Sequence, residues 1–186
     1  MRLPPIPPEA MTPALRTAAD AITAGPRKGL RGPFNAWLRS PEFADRMQRV
    51  GEYIRFHSSL DARLNEFAIL LTAAHWSSPY EWYAHYPLAL KAGLRAGIAD
   101  AVARGERPVG MHDDEEIVWE FCTQLRANRN ISDKIYAAAV AAFGEIGVVD
   151  LIGVNGYYDA VSMTLNIAEV HPPEDAGVPI KPPKKW

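Results

Sequence analysis

Apolar residues recur every three to four positions along most of this chain, and no stretch alternates long enough to suggest a strand, so the pattern predicts an all-α fold. Thr12-Pro13 reads as a helix start, with threonine as N-cap and proline first inside; ALRTAADAIT follows and stops at Gly25-Pro26. Gly32-Pro33 marks a turn before the apolar cluster Phe34, Trp37 and Leu38. Ser40-Pro41 repeats the start signature and opens a helix on which Phe43, Met47, Val50 and Ile54 form one buried stripe. The next helix begins near Asp61, with Leu64, Phe67, Ala68 and Leu71 facing inward. Ser78-Pro79-Tyr80-Glu81 matches the capping-box pattern and starts a helix that Gly93 ends. A short helix over roughly Arg95–Ala103 leads to another capped by Asp113 or Asp114. Ser132 caps DKIYAAAVAAFGEIG, and the last run, from Val148 to Val170, is apolar on most sides. A helix of that kind belongs either to the core or to a subunit interface, and Gly153 and Gly156 on it leave room for a second helix.

The two ends break this periodicity. Nine of the 16 prolines lie in them, with Pro13 just inside, and proline clusters favour extended, solvated backbone. The reading is therefore a helical domain over 12–169 between proline-rich arms at 1–11 and 170–186. Ile6, Val178, Ile180 and Trp186 would anchor such arms on a neighbouring subunit, the alternative being disorder.

Composition narrows the picture further. The 186 residues suit one domain with a real core, and a formal net charge of −2 gives no pull toward nucleic acid or an anionic membrane. The N-terminus is too proline-rich for a signal peptide, and no uncharged apolar stretch has the length of a membrane span. A cytoplasmic protein is expected. A single cysteine, Cys122, excludes an intramolecular disulfide and a C-x-x-C pair, and its place on a helical stripe suits a buried apolar residue.

The candidate chemistry lies between Asn65 and Leu90. Glu81 and His85 are four apart and share a helix face, opposite a helix that carries Glu66. An imidazole beside carboxylates exchanges protons near neutrality. Each residue also has a structural use: Glu81 as the capping-box acid bonded to the Ser78 N–H, and His85 as a histidine paired with Glu81. His75, beside Trp76, is a candidate for the same pocket; Arg55 and Arg63 are candidate cations by proximity in sequence; Tyr157, Tyr158 and Asn166 offer hydroxyl or amide groups. His57 closes its helix as a partner for the dipole, and His112 and His171 fall in loops with no role.

This stretch resembles the carboxymuconolactone decarboxylase family, which shares the alkyl hydroperoxidase D-like helical fold. Glu66, Glu81-Trp82 and His85, followed by an apolar run to Gly93, carry the resemblance. It extends to Gly32-Pro33-Phe34, Trp37-Leu38 and Ser40-Pro41-Glu42 on one side, and to Ser132-Asp133, Gly156-Tyr157-Tyr158 and Leu165-Asn166 on the other. The redox branch of the fold carries two cysteines where this chain has Ser78 and Glu81, so dithiol peroxidase chemistry is excluded here. The long segment before Glu66 sets the chain apart from the small dedicated decarboxylases, so fold transfers better than substrate. The resemblance implies cofactor-free decarboxylation, or a related proton transfer, on a small carboxylated lactone or related acid. His85, Glu66 and Glu81 would be catalytic, and His75, Trp82, Arg55 and Tyr157 would bind substrate. It also implies a trimer or hexamer. Two rivals stand beside it: a metal site built from Glu81, His85, Glu66 and His75, and a non-catalytic helical oligomer.

Overall fold

The computed structural model describes residues 1–25 and 29–183; Pro26 and Trp186, which figured in the sequence reading, lie outside the described residues. The chain is all-α. A short 3-10 turn, Pro8–Ala10, precedes α1 (Pro13–Ala24), α2 (Phe34–Trp37), α3 (Pro41–Phe56), α4 (Ala62–His75), α5 (Pro79–Lys91), α6 (Ala96–Ala103), α7 (Asp113–Asn128) and α8 (Asp133–Ala168), with no strand among the described residues.

Helix α4 is the hub. Asp61 caps it by accepting the Arg63 N–H at 2.9 Å, and nearly every residue from Leu64 to Ala73 is buried. That is why its hydrophobic pattern is not one-sided: α5, α6, α7 and α8 all pack around it. The end of α4 sets the direction of α5. Ser77 adopts φ 49°, its N–H bonds to the Ala74 carbonyl, and the Ser78 N–H bonds back to Ala73 at 2.9 Å. This is a Schellman closure with serine where glycine is usual. Ser77→Gly relieves the left-handed backbone at the expense of a more flexible unfolded chain, and a net gain of about 0.5–1 kcal/mol in urea unfolding is expected. A loss of stability instead would show that the serine hydroxyl matters more than the backbone.

Several expectations require correction. On α3 the buried face is Ala44, Gln48, Gly51 and Ile54, while Phe43 and Val50 are exposed. Ile54 alone of the expected stripe is buried, because small residues at 44 and 51 let α3 approach its neighbours where bulkier ones would hold it away. The cap of α7 is His112, not Asp113 or Asp114: the His112 N–H donates to Glu115 at 2.8 Å, closing the start of the helix one residue earlier. Ser78 makes no side-chain cap bond, and its backbone N–H is already taken by Ala73, so Glu81 is not a capping-box acid. The last two expected helices are both present within α8, but they meet at a kink at Gly144, whose φ of 70° and ψ of 174° are not helical, rather than after Gly147.

By length and composition α8 could cross a membrane. Its apolarity also has an intramolecular use, since Leu151, Val154, Tyr158, Val161 and Leu165 are buried and the helix packs on α3, α4 and α7. Buried Asp150 ties it to the α3–α4 turn, accepting from the Ser59 N–H and Oγ (both 2.7 Å), Ser58 Oγ (3.0 Å) and Tyr53 Oη (3.0 Å). Burial pushes the Asp150 carboxyl up, but these bonds outweigh it and hold the group below its usual range. Gly153 leaves room for the Ile54 side chain of the same chain, with a Cβ there only 2.9 Å from Ile54 Cδ1; a Cβ at Gly156 would meet nothing within 4 Å beyond its own helix. The proline-rich ends follow their own chain. The Arg2 N–H bonds to the Ala168 carbonyl, Arg39 bonds to the Pro4 carbonyl, and Ile6, Val178 and Ile180 pack on the core.

Candidate active site

Helices α4, α5 and α8 deliver the polar residues of the central stretch to one place. His85 is 4% exposed. Its Nδ1 lies 2.7 Å from Glu66 Oε2 and its Nε2 lies 3.4 Å from Glu81 Oε2. Nδ1–H donates to the Glu66 carboxylate, which leaves Nε2 as the basic nitrogen. The contact to Glu81 is close but not aligned as a hydrogen bond, so Glu81 Oε2 is buried without a hydrogen-bond partner. Burial pushes the Glu81 carboxyl up; His85 and Arg55 pull it back and Glu66 adds to the rise, with a net upward shift. Glu81 is thereby biased toward its neutral, proton-donating form.

A cavity of about 930 Å³ opens beside this group, walled by Glu81 and His85 of α5, Arg55 and Phe56 of α3, and Tyr157 and Tyr158 of α8. Glu66 does not reach the wall; it holds the imidazole from behind. The Tyr158 ring meets the His85 ring edge to face, with centroids 5.1 Å apart. Burial drives the Tyr158 phenol well above its usual pKa, so it remains an O–H donor. Arg55 is the cation that acts on both Glu81 and Tyr158. Its Nε is buried without a hydrogen-bond partner, and no carboxylate among the described residues pairs with it. Orphaned polar atoms in a cavity wall mark places where the polar atoms of a small molecule would be held.

The helix start explains part of this geometry. Pro79 stands first in α5, where its missing N–H is harmless. Pro87, inside the same helix, leaves the Tyr83 carbonyl without its i+4 donor, and both residues line the cavity.

Of the expected substrate-binding residues, Arg55 and Tyr157 line this cavity. Trp82 and His75 do not. Trp82 is 2% exposed and stacks on Tyr86 at 5.8 Å, so it is a core residue: one position along α5 from Glu81, it is turned by about 100° away from the cavity. His75 faces a different cavity, because nine residues along α4 separate it from Glu66 by a half-turn beyond two full turns. Arg63 is engaged by Asp114 and Glu115, both at 2.6 Å, and belongs to the scaffold. Asn166 donates to the Trp76 carbonyl at 2.8 Å, also as scaffold. Cys122 is fully buried, and burial raises its thiol above the usual range. His171, given no role from sequence, lines the cavity together with Arg31, Tyr80 and Tyr83. Nothing local in the sequence marks Arg31 or His171, which come from the loop before α2 and the segment after α8. Tyr80 was within reach, because it precedes Glu81 and its ring packs over Gly32, where any Cβ would meet Tyr80 Cε1 at 3.2 Å.

Among the described residues no group of three or more His, Cys, Asp or Glu side chains is arranged to hold a metal ion. The imidazole lies between two carboxylates with both nitrogens already faced by acids. Neither a scan against protein-family models nor searches of curated proteins and of solved structures finds a match to this chain.

Proposed function

We propose that the chain is a carboxymuconolactone decarboxylase-like enzyme of the alkyl hydroperoxidase D-like fold. Its reaction is a cofactor-free decarboxylation, or a related proton transfer, on a small carboxylated lactone or related acid. One observation carries this reading: His85 is held at Nδ1 by Glu66, has Glu81 at its other nitrogen, and lines a cavity shared with Glu81, Arg55 and Tyr158. That is the arrangement of a base fixed by an acid behind it, with donors in front.

In this reaction the substrate carboxylate leaves as carbon dioxide, and the electron pair of the broken C–C bond moves onto the conjugated carbonyl as an enolate. Arg55 and the Tyr158 hydroxyl supply positive charge and a hydrogen bond to that oxygen. Glu81 passes its proton to His85 Nε2, 3.4 Å away, and is reprotonated from solvent; protonated His85 delivers one proton to carbon, and Glu66 stabilises the imidazolium until it does. Arg55 favours the reaction by pairing with charge that develops or persists. Pairing with the departing carboxylate would stabilise the ground state and slow it.

The test is carbon dioxide release from a panel of carboxylated five-membered lactones. Turnover of one member is expected, with a loss of about 10²–10⁴ in His85→Ala. No turnover across the panel, or an undiminished rate in His85→Ala, would overturn the reading.

A trimer or hexamer is part of the same proposal. Ile146, Val149 and Ile152 recur on one α8 face and are 67%, 65% and 54% exposed, an apolar strip that supports self-association. Light scattering at micromolar concentration is expected to show the assembly; a monomer would remove that part.

A further inference from the structure

A second cavity, of about 700 Å³, lies on the other side of α4, between α4, α6, α7 and the C-terminal segment. Its chemistry differs from that of the first. Arg126 of α7 lines it, and its guanidinium is held by neutral groups: Nη2 donates to Thr72 Oγ1 at 2.5 Å and Asn155 Oδ1 at 2.6 Å, and Nη1 reaches the Cys122 carbonyl at 3.4 Å. Arg126 Nε is buried and has no hydrogen-bond partner. No ion pair forms at Arg126 among the described residues. His75 and Lys181 line the same space, and Arg104, also at its wall, is paired with Glu106. Asp159, the acid that acts on His75, already accepts the Trp76 indole N–H at 2.6 Å. The lining therefore carries cationic side chains and no carboxylate. Leu71, Trp119 and Ile180 add apolar surface to the same walls.

Arg126 is half-buried, with its Nε fully so, and a guanidinium taken partly out of water without a counter-ion is costly unless something neutralises it. The three fixed neutral acceptors orient Arg126 without cancelling its charge, as an anion site requires. We infer that this cavity binds a small organic anion, a carboxylate carried on a flat apolar body, with the acid group on Arg126 and the body against Trp119 and Ile180. The inference is independent of the reaction proposed above, because none of these residues lines the first cavity.

Benzoate is the probe, followed by NMR at the His75 imidazole and Trp119 indole of the full chain, with neutral benzamide as control. Saturable shifts at both residues are expected for benzoate and not for benzamide. Arg126→Gln, which keeps a donor toward Thr72 and Asn155, weakens them about tenfold or more. Lys181→Gln, on the exposed terminal segment, weakens them severalfold without touching the core, which covers the case in which Arg126→Gln fails to fold. Arg55→Gln leaves them unchanged. Equal affinity for benzamide, shifts confined to His85 and Tyr158, no saturable shift at either probe residue, or wild-type affinity in both cavity variants would each overturn the site.

Discussion

Arg63→Met lowers the free energy of unfolding by about 3–5 kcal/mol, the range found when one partner of a buried ion pair is removed. Arg63 rises from the first turn of α4 and forks to two acids at the start of α7, Nη2 to Asp114 Oδ2 and Nη1 to Glu115 Oε1, each at 2.6 Å. The Glu115 side chain is 1% exposed, so losing the guanidinium strands a carboxylate that water cannot reach. What remains for Glu115 is the His112 N–H at 2.8 Å and Arg95 at 3.6 Å. These soften the loss without replacing a bidentate charge, so the lower half of the range is expected. The pH dependence has a definite sign. Burial pushes the Asp114 carboxyl up, but the Arg63 hydrogen bond and charge outweigh it, and the folded group ionises below its ordinary value. Its contribution to stability is present above the unfolded pKa and lost as pH falls through the folded one. Arg63→Met removes that contribution, so wild type and variant draw closer in acid. Urea unfolding at neutral pH and in mild acid measures both effects. A loss below about 1 kcal/mol would mean the cluster is worth no more than a surface pair.

Arg63 also shows why part of the site was legible from the sequence and part was not. The elements themselves were readable, because Thr12-Pro13, Asp61 and Ser132 start helices by local hydrogen bonds and the 3.6-residue period needs no tertiary partner. The pairing of Glu66 with His85 across two neighbouring helices was likewise anticipated, and the structure places them 2.7 Å apart. Local pattern failed where rotation about a helix axis, or a partner far along the chain, decides the outcome. Helix α3 has apolar residues on two faces, and only its neighbours select the one with Ala44 and Gly51. The S-P-Y-E motif at Ser78 satisfies the capping pattern, yet the turn after α4 claims the Ser78 N–H and the carboxylate goes to His85 instead. Arg63 was sought at the substrate because it is near Glu66 in sequence; its acids lie some fifty residues away. His171 and Arg31 reach the cavity wall from opposite ends of the chain, and no spacing rule connects them.

For the reaction proposed above, Glu81→Gln is expected to cut kcat/KM by about 10²–10⁴, since it removes the proton-donating acid at the cavity wall, while making the fold more stable. The two effects share a cause. Burial dominates at Glu81 and raises its pKa against the partial relief from His85 and Arg55. A group raised in the folded state contributes stability fully below the unfolded pKa and loses it as pH climbs through the folded one, because the unfolded chain ionises freely while the folded one resists. Glutamine has the same shape and never ionises, so the variant lacks this decline. Melting temperatures of the two proteins should coincide in acid, near about pH 4, and separate toward about pH 8 with the variant higher. Buried polar groups that lower stability are kept where they perform chemistry, and Glu81 Oε2, which has no hydrogen-bond partner beside an imidazole and a cavity, is such a group. Parallel melting curves would show that Glu81 is solvated after all, and a fully active variant would transfer the proton-donor role to Tyr158 or His85 alone. A variant that is less active and more stable, with a gap that widens toward alkaline pH, is what an acid held neutral by burial requires.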